Sequence, residues 1–238
     1  MVADRNANVH TSTKQVTSSS YEVSRDRSYE QYCGVARALD LVGERWALLV
    51  VRELLLGPRR FTDLLGGLPS VSTNVLAARL RQLEGAGVVE RGVLPPPAAS
   101  AVYQLTPHGR DLEPIVLALG RWGARSLGPR GEKRLCSQWL ALALKSFFHA
   151  EAAEGVRRVY EVRLRDGAYR VSVLEGAVEV EPGPADAVDA VIEADDDALV
   201  ALLAAGTGTG GVRVVEGDPR ELDRFVELFR FAEPAPAA

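Results

Sequence analysis

Apolar positions along the chain follow two different rhythms. Between Gln31 and Gly123 they recur three and four residues apart, the period of an amphipathic helix. From Val159 onward they alternate in short runs broken by Gly and Asp, the period of strands. In CGVARALDLVGERWALLVVRELLLG the first rhythm predicts helices over about 32–42 and 45–56, parted by Gly43 and stopped by Gly57-Pro58. Trp46, Leu49, Val50 and Glu53 share a face of the second helix, with Trp46 expected to anchor a small core. The next stretch, FTDLLGGLPSVSTNVLAARLRQLEGAGVVER, predicts a short helix, a turn over 66–69, a longer helix over about 72–84, a glycine stop and a strand over 88–91. A tip of prolines and small residues over 94–100 and a returning run over 101–105 make a hairpin, since proline cannot donate to a ladder. Thr106-Pro107 then opens a helix carrying Leu112, Ile115, Val116, Leu119 and Trp122.

Beyond Gly128-Pro129 a long helix is expected over about 132–154. Strands over 159–164 and 169–174 turn about Asp166-Gly167. Strands follow over 177–180 and 188–193, then a helix over 195–205 with Asp caps and a Gly206 stop, a strand over 212–215, and a last helix opened by Asp218-Pro219. The chain therefore divides into a polar tail (1–28, expected to be disordered), a first domain (29–127) and a second domain (128–238). The polar N-terminus has no apolar signal core and no run reaches the roughly 20 apolar residues a membrane span needs, so a cytoplasmic location is expected.

Charge changes the picture only once it is divided. The net charge is −4, but residues 30–127 hold 11 Arg and no Lys against 9 acids, while 128–238 hold 13 basic residues against 20 acids. The acidity belongs to the second domain, and the first is free to present a basic face. Two cysteines and three scattered histidines give no metal-ligand spacing, and neither a cofactor nor an enzymatic activity is expected. The glycine-rich loop 206–211 lacks the Lys-Ser/Thr of a phosphate loop and leads into a strand. Asp195, Asp196 and Asp197 read as a helix cap, and His108 as a residue of a helix start.

Helix, turn, helix, strand, hairpin is the plan of a winged helix-turn-helix, whose second helix enters the major groove of DNA. In that helix Leu76, Leu80 and Leu83 turn inward at 100° per residue. Asn74, Ala77, Ala78 and Arg81 turn outward, with Thr73 and Arg79 on the flanks. Asn can pair with adenine and Arg with guanine in bidentate fashion, although an ordinary solvated helix face shows a similar pattern. Ser72 at the helix start and Arg59, Arg60 and Arg91 complete the candidate DNA-contacting set. The hairpin tip carries no Lys or Arg, so those arginines must supply more of the phosphate contact, or the hairpin contributes mainly shape. The apolar stripe of the helix after the hairpin exceeds the needs of one small domain and suggests pairing with a second copy.

These residues resemble the HxlR-type winged-helix regulators of bacteria over about 32–123. The resemblance rests on Cys33, Gly43-Glu44-Arg45-Trp46, the run from Leu56 to Leu64, Val71-Ser72, Leu76, Arg79-Leu80, Leu83-Glu84, Gly87, Tyr103–Thr106, Gly109, Leu112 and Trp122. It implies a mostly helical, MarR-like α+β domain acting as a homodimer on a pseudo-palindromic operator in double-stranded DNA. Two departures are Arg45, where relatives carry lysine, and the proline-rich wing tip. Some relatives use the cysteine matching Cys33 as a redox sensor, and the alternative reading is a small apolar residue on the first helix. Residues 133–231 resemble the SCP2 (sterol carrier protein) domain, on the Asp189–Glu193 strand, the 195–206 segment and Val212–Asp218. That likeness implies a second α+β domain with a mainly antiparallel sheet, and a pocket for a hydrophobic small molecule whose candidate wall is Trp139, Phe147, Phe148, Phe225 and Phe229. The expected function is a dimeric transcriptional regulator whose second domain senses such a molecule or stabilises the dimer. The alternative is a ligand carrier whose winged helix serves only dimerisation.

Overall fold

The computed structural model describes residues 28–205 and 210–231. The expectations for the tail 1–28, apart from its last residue, and for Gly206 as a helix stop lie outside the described residues.

The first half begins with four helices: α1 (Gly34–Val42), α2 (Ala47–Leu54), α3 (Phe61–Gly67) and α4 (Thr73–Gly85). Strands β1 (Val89–Val93) and β2 (Ala101–Leu105) pair antiparallel with Val89 opposite Leu105 and Val93 opposite Ala101. The short α5 (Pro107–Arg110) and then α6 (Glu113–Ala124) follow. Val50, Val51, Leu54, Leu64, Leu76, Leu80 and Leu83 are buried and interlock, so the 3–4 spacing read from the sequence is the core-facing stripe of each helix. Two details differ from expectation. The second helix begins at Ala47, because Trp46 takes a left-handed conformation (φ 77°), and Leu49 faces outward at 39% exposed. Trp46 is only half-buried, and the core role passes to Ala47, Val50, Val51 and Leu54.

The junction of α5 with the hairpin is close-packed. Thr106 accepts a hydrogen bond from the Gly109 N–H at 3.0 Å while its hydroxyl donates to the Gly87 carbonyl at 2.5 Å. A Cβ on Gly109 would lie 2.0 Å from the Val88 carbonyl oxygen, so glycine is required there by contact rather than by conformation.

The second half is a two-layer α+β unit. A five-stranded sheet of β3 (Arg157–Leu164), β4 (Gly167–Leu174), β5 (Ala177–Pro182), β6 (Ala190–Ala194) and β7 (Val212–Gly217) runs in the order β5-β4-β3-β6-β7. All neighbours are antiparallel except β3 and β6. The β4–β5 hairpin turns on Glu175-Gly176, both at positive φ, as a tight two-residue turn requires. Helices α7 (Ser137–Ser146), α8 (Asp196–Ala205) and α9 (Glu221–Phe229) complete this half. Tyr160 of β3 meets the Phe225 ring edge-on at 5.3 Å, which places α9 over the inward face of the sheet.

Here the expectations need correcting in two places. The predicted helix over 132–154 is only 137–146, followed by a single 3-10 turn at Glu151–Ala153. Phe147 and Phe148 leave the helix to stack on Phe231 (4.6 Å) and Phe229 (5.6 Å), and that packing outweighs helical continuation. The proposed pocket wall is also dispersed. Phe225 and Phe229 are fully buried against each other at 4.7 Å, so they are core, and Trp139 looks away toward the first half.

The two halves are fastened through α7. Trp139 Nε1 donates to Glu53 Oε1 at 2.8 Å, Gln138 Nε2 to the Glu53 carbonyl at 2.9 Å, and Arg134 to the Gly66 carbonyl at 2.5 Å. Arg52 lies over the Trp139 ring (4.3 Å) and also holds Glu53 Oε1 at 2.6 Å. Lys145 pairs with Glu113, and Arg121 donates to the Ser146 carbonyl at 2.8 Å. Beneath these contacts one apolar cluster runs through both halves.

Candidate nucleic-acid interface

The second helix of the motif, α4, is set at its start by Ser72, whose Oγ accepts the Val75 N–H at 3.3 Å. Leu76, Leu80 and Leu83 seat it on the core. Ser72, Thr73, Asn74, Ala78 and Arg81 stand exposed together and Ala77 is half-buried beside them. The face is small and polar near its N-terminal end, which permits close approach to base edges, and its one long cation is Arg81. Arg60 is also exposed, at the start of α3, where its N–H donates to Asp63 Oδ2 at 3.1 Å.

The other arginines are engaged elsewhere. Arg79 is largely buried, pairing with Glu44 at 3.1 Å and donating to Gln82, and so braces α4 against the loop before α2. Arg59 donates to Gln138 of α7, and its backbone bridges Tyr103 of β2 in both directions at 2.9 and 2.8 Å. Arg91 is exposed but paired with Glu84 at 2.8 Å and lies over the Tyr103 ring. Phosphate would have to compete with Glu84 for it. The Arg79–Glu44 and Arg59–Gln138 pairings join residues 35 and 79 positions apart, so no local pattern announces them.

Val75 joins this surface beyond the positions expected from the sequence. It is 40% exposed on the same surface as Asn74 and Ala78, where a branched apolar side chain suits a thymine methyl group. The signal was its helical angle, outside the Leu76-Leu80-Leu83 stripe; its apolar character concealed it.

Cys33 is exposed and precedes α1 as its N-cap, so it is not a packed apolar residue of the helix. The backbone N–H groups of Ala36, then Val35, stabilise the thiolate and hold the thiol below its ordinary pKa. On the outer surface Val35, Leu39, Ile115, Leu119 and Trp122 form exposed apolar positions of α1 and α6, and α6 has no fully buried residue.

A helix-turn-helix with a two-stranded wing and an exposed, small-residue second helix defines a winged-helix DNA-binding domain. The family model for the HxlR-like helix-turn-helix matches residues 41–130. An uncharacterized HTH-type transcriptional regulator of Synechocystis sp., sll1512, is 40% identical over 92 residues, covering 39% of this chain and 68% of that protein. The uncharacterized HTH-type regulator YvaP of Bacillus subtilis is 38% identical over 93 residues, 39% of this chain and 86% of its own. Among solved structures, the redox regulator HypR in its oxidized form is 35% identical, covering 40% of this chain and 97% of that one with a TM-score of 0.37. The chain belongs to the HxlR-like helix-turn-helix family.

Proposed function

We propose that the protein is a transcriptional regulator that binds a pseudo-palindromic operator as a homodimer, α4 of each subunit lying in successive major grooves. The exposed α4 face, with Asn74, Ala78 and Arg81 presented together, carries this reading. The exposed apolar positions of α1 and α6 are the pairing surface between copies, since large apolar side chains left exposed on helices of a folded domain mark an interface. Residues 29–127 form the DNA-binding and dimerisation domain. Residues 128–238, a sterol-carrier-like domain, form the input, and a small molecule bound there changes the separation of the two α4 helices and so the operator affinity. The ties from α7 to Glu53 and Arg59 support this coupling, because they run from the second domain to the helix and segment that position the reading head.

Selection of bound sequences from random duplex DNA, followed by footprinting, tests it. A protected palindrome is expected, with affinity falling steeply as salt rises. Equal affinity for random duplex would refute the regulator reading and favour a carrier whose winged helix only dimerises.

A second input is proposed at Cys33, on its exposure and its thiolate-stabilising helix start. Oxidant- or quinone-dependent release of DNA should disappear in Cys33→Ser, and unchanged release would end the idea.

A further inference from the structure

Between the two halves lies a cleft of about 580 Å³, inside the roughly 300–1,000 Å³ range usual for ligand sites. Its walls come from both sides: Leu55-Leu56-Gly57 and the starts of α5 and α6 from the first half, Lys145 of α7 and the β4–β5 edge from the second. The lining is mostly polar, which is wrong for a sterol or acyl chain and right for a charged metabolite.

The charges of the cleft sort themselves. Glu113 is neutralised by Lys145, and Glu181 by Arg170. Arg110 and Glu179 line the same cleft and make no hydrogen bond or ion pair through their side chains to the described residues. Arg110 is the cation on offer, and Glu179, which acts on Arg170 through its charge alone, is the anion, beside apolar surface from Leu56, Val180 and Pro182. We propose that this cleft is an effector site for a small zwitterion, an amino acid or short peptide with both termini free. Its carboxylate meets Arg110 in the bidentate geometry guanidinium favours, and its ammonium meets Glu179.

The position gives such a ligand leverage. Gly57 (φ 122°) lines the cleft and leads directly to Arg59 and Arg60, so occupancy would act on the segment entering α3. The half-buried Lys145–Glu113 pair already joins the two halves at the same place, and a zwitterion seated there adds contacts to both. This inference rests on the reading of the second domain as the input of a regulator, but binding can be measured without DNA.

The experiment is thermal unfolding of the full chain with a panel of free amino acids and di- and tripeptides, each also as its N-acetylated and C-amidated form, and with inorganic phosphate as an anion-only probe. At least one free zwitterion should raise Tm by a few degrees at saturation, as any ligand selective for the native state does. Blocking either terminus should weaken binding at least tenfold. Arg110→Ala and Glu179→Gln, both at exposed positions, should each fold as the parent does and lose the shift. Absence of any shift across the panel, equal shifts by blocked forms, equal shifts in both variants, or a shift by phosphate alone would each overturn the proposal. The expected pattern in a protein that binds no specific duplex upholds the site and refutes the regulator reading alone.

Discussion

Trp139→Phe should loosen the seam between the two halves by an amount that can be worked out in advance. Trp139 Nε1 donates at 2.8 Å to the carboxylate of Glu53, whose side chain is 3% exposed. A hydrogen bond to a charged group is worth about 1.5–3 kcal/mol, and a buried carboxylate that loses a donor cannot recover it from water. Phenylalanine retains an aromatic face beneath the Arg52 guanidinium, so the stacking contribution falls only in part. Arg52 still holds Glu53, which keeps the loss near this range rather than at the larger cost of stranding a buried charge. The expected destabilisation is therefore about 1.5–3 kcal/mol. Urea unfolding followed by far-ultraviolet circular dichroism is the suitable assay, since Trp139 is itself one of only three tryptophans. One transition should move to lower urea with an unchanged slope, because one apolar cluster runs through both halves. A cycle with Glu53→Gln should show coupling of about 0.5–3 kcal/mol. Destabilisation below about 0.5 kcal/mol, the level of an indifferent surface change, would show that this contact does not join the halves.

The arginines of α4 should separate by role: Arg81→Ala, like Asn74→Ala, should cost about 1–3 kcal/mol at particular base pairs in operator binding. Arg79→Ala should instead lower thermal stability by releasing Glu44, with no base-specific signature in the same binding assay. Gly109→Ala should destabilise by about 1–3 kcal/mol in denaturant titration, since its Cβ would meet the Val88 carbonyl and a backbone atom cannot swing aside. Burial, then the neighbouring charge of Cys136, raises Tyr169 to about 12. Its ionisation in the unfolded chain near pH 10 therefore favours unfolding, and stability present below that pH is lost as pH climbs toward the folded value. Tyr169→Phe should flatten this alkaline decline in Tm, and an unchanged profile would remove Tyr169 as its source.

The first half was largely legible because its information is local. The 3–4 period of Leu76, Leu80 and Leu83, the Gly57-Pro58 stop and the Thr106-Pro107 start each specify an element through neighbours in sequence. The exposed positions of α4 follow from the same arithmetic, which also leaves Val75 outside the inward leucine stripe. What escaped depends on partners 35 to 86 residues away: Arg79 on Glu44, Arg59 on Gln138, and Trp139 on Glu53. The end of α7 was missed for the same reason. Nothing in LALKSFFHAEAAE is helix-breaking, and Phe147 and Phe148 turn away only because α9 and Phe231 offer rings to pack against. The parallel β3–β6 pairing is likewise invisible to alternation, which fixes the face of a strand but not its neighbour.

The seam between the halves also constrains how a signal could travel. Glu53 and Arg59 flank the turn at Gly57 that leads from α2 into α3, and α7 holds both: Trp139 at the Glu53 carboxylate, and Gln138 between the Glu53 carbonyl and the Arg59 guanidinium. Arg59 in turn bridges the backbone of Tyr103 in the wing, whose ring carries Arg91. A small rotation of α7 would therefore reach the start of α3 and the wing before it reached α4, which sits on its own leucine stripe and its own Arg79–Glu44 brace. Coupling through this route changes how the flanking backbone contacts and the wing are set against DNA while leaving the base-reading face intact. The consequence is separable by measurement: an effector acting through α7 should alter operator affinity and its salt dependence without changing which base pairs are preferred. A shift in base preference on effector binding would place the moving part in α4 itself and break this chain of contacts as the path.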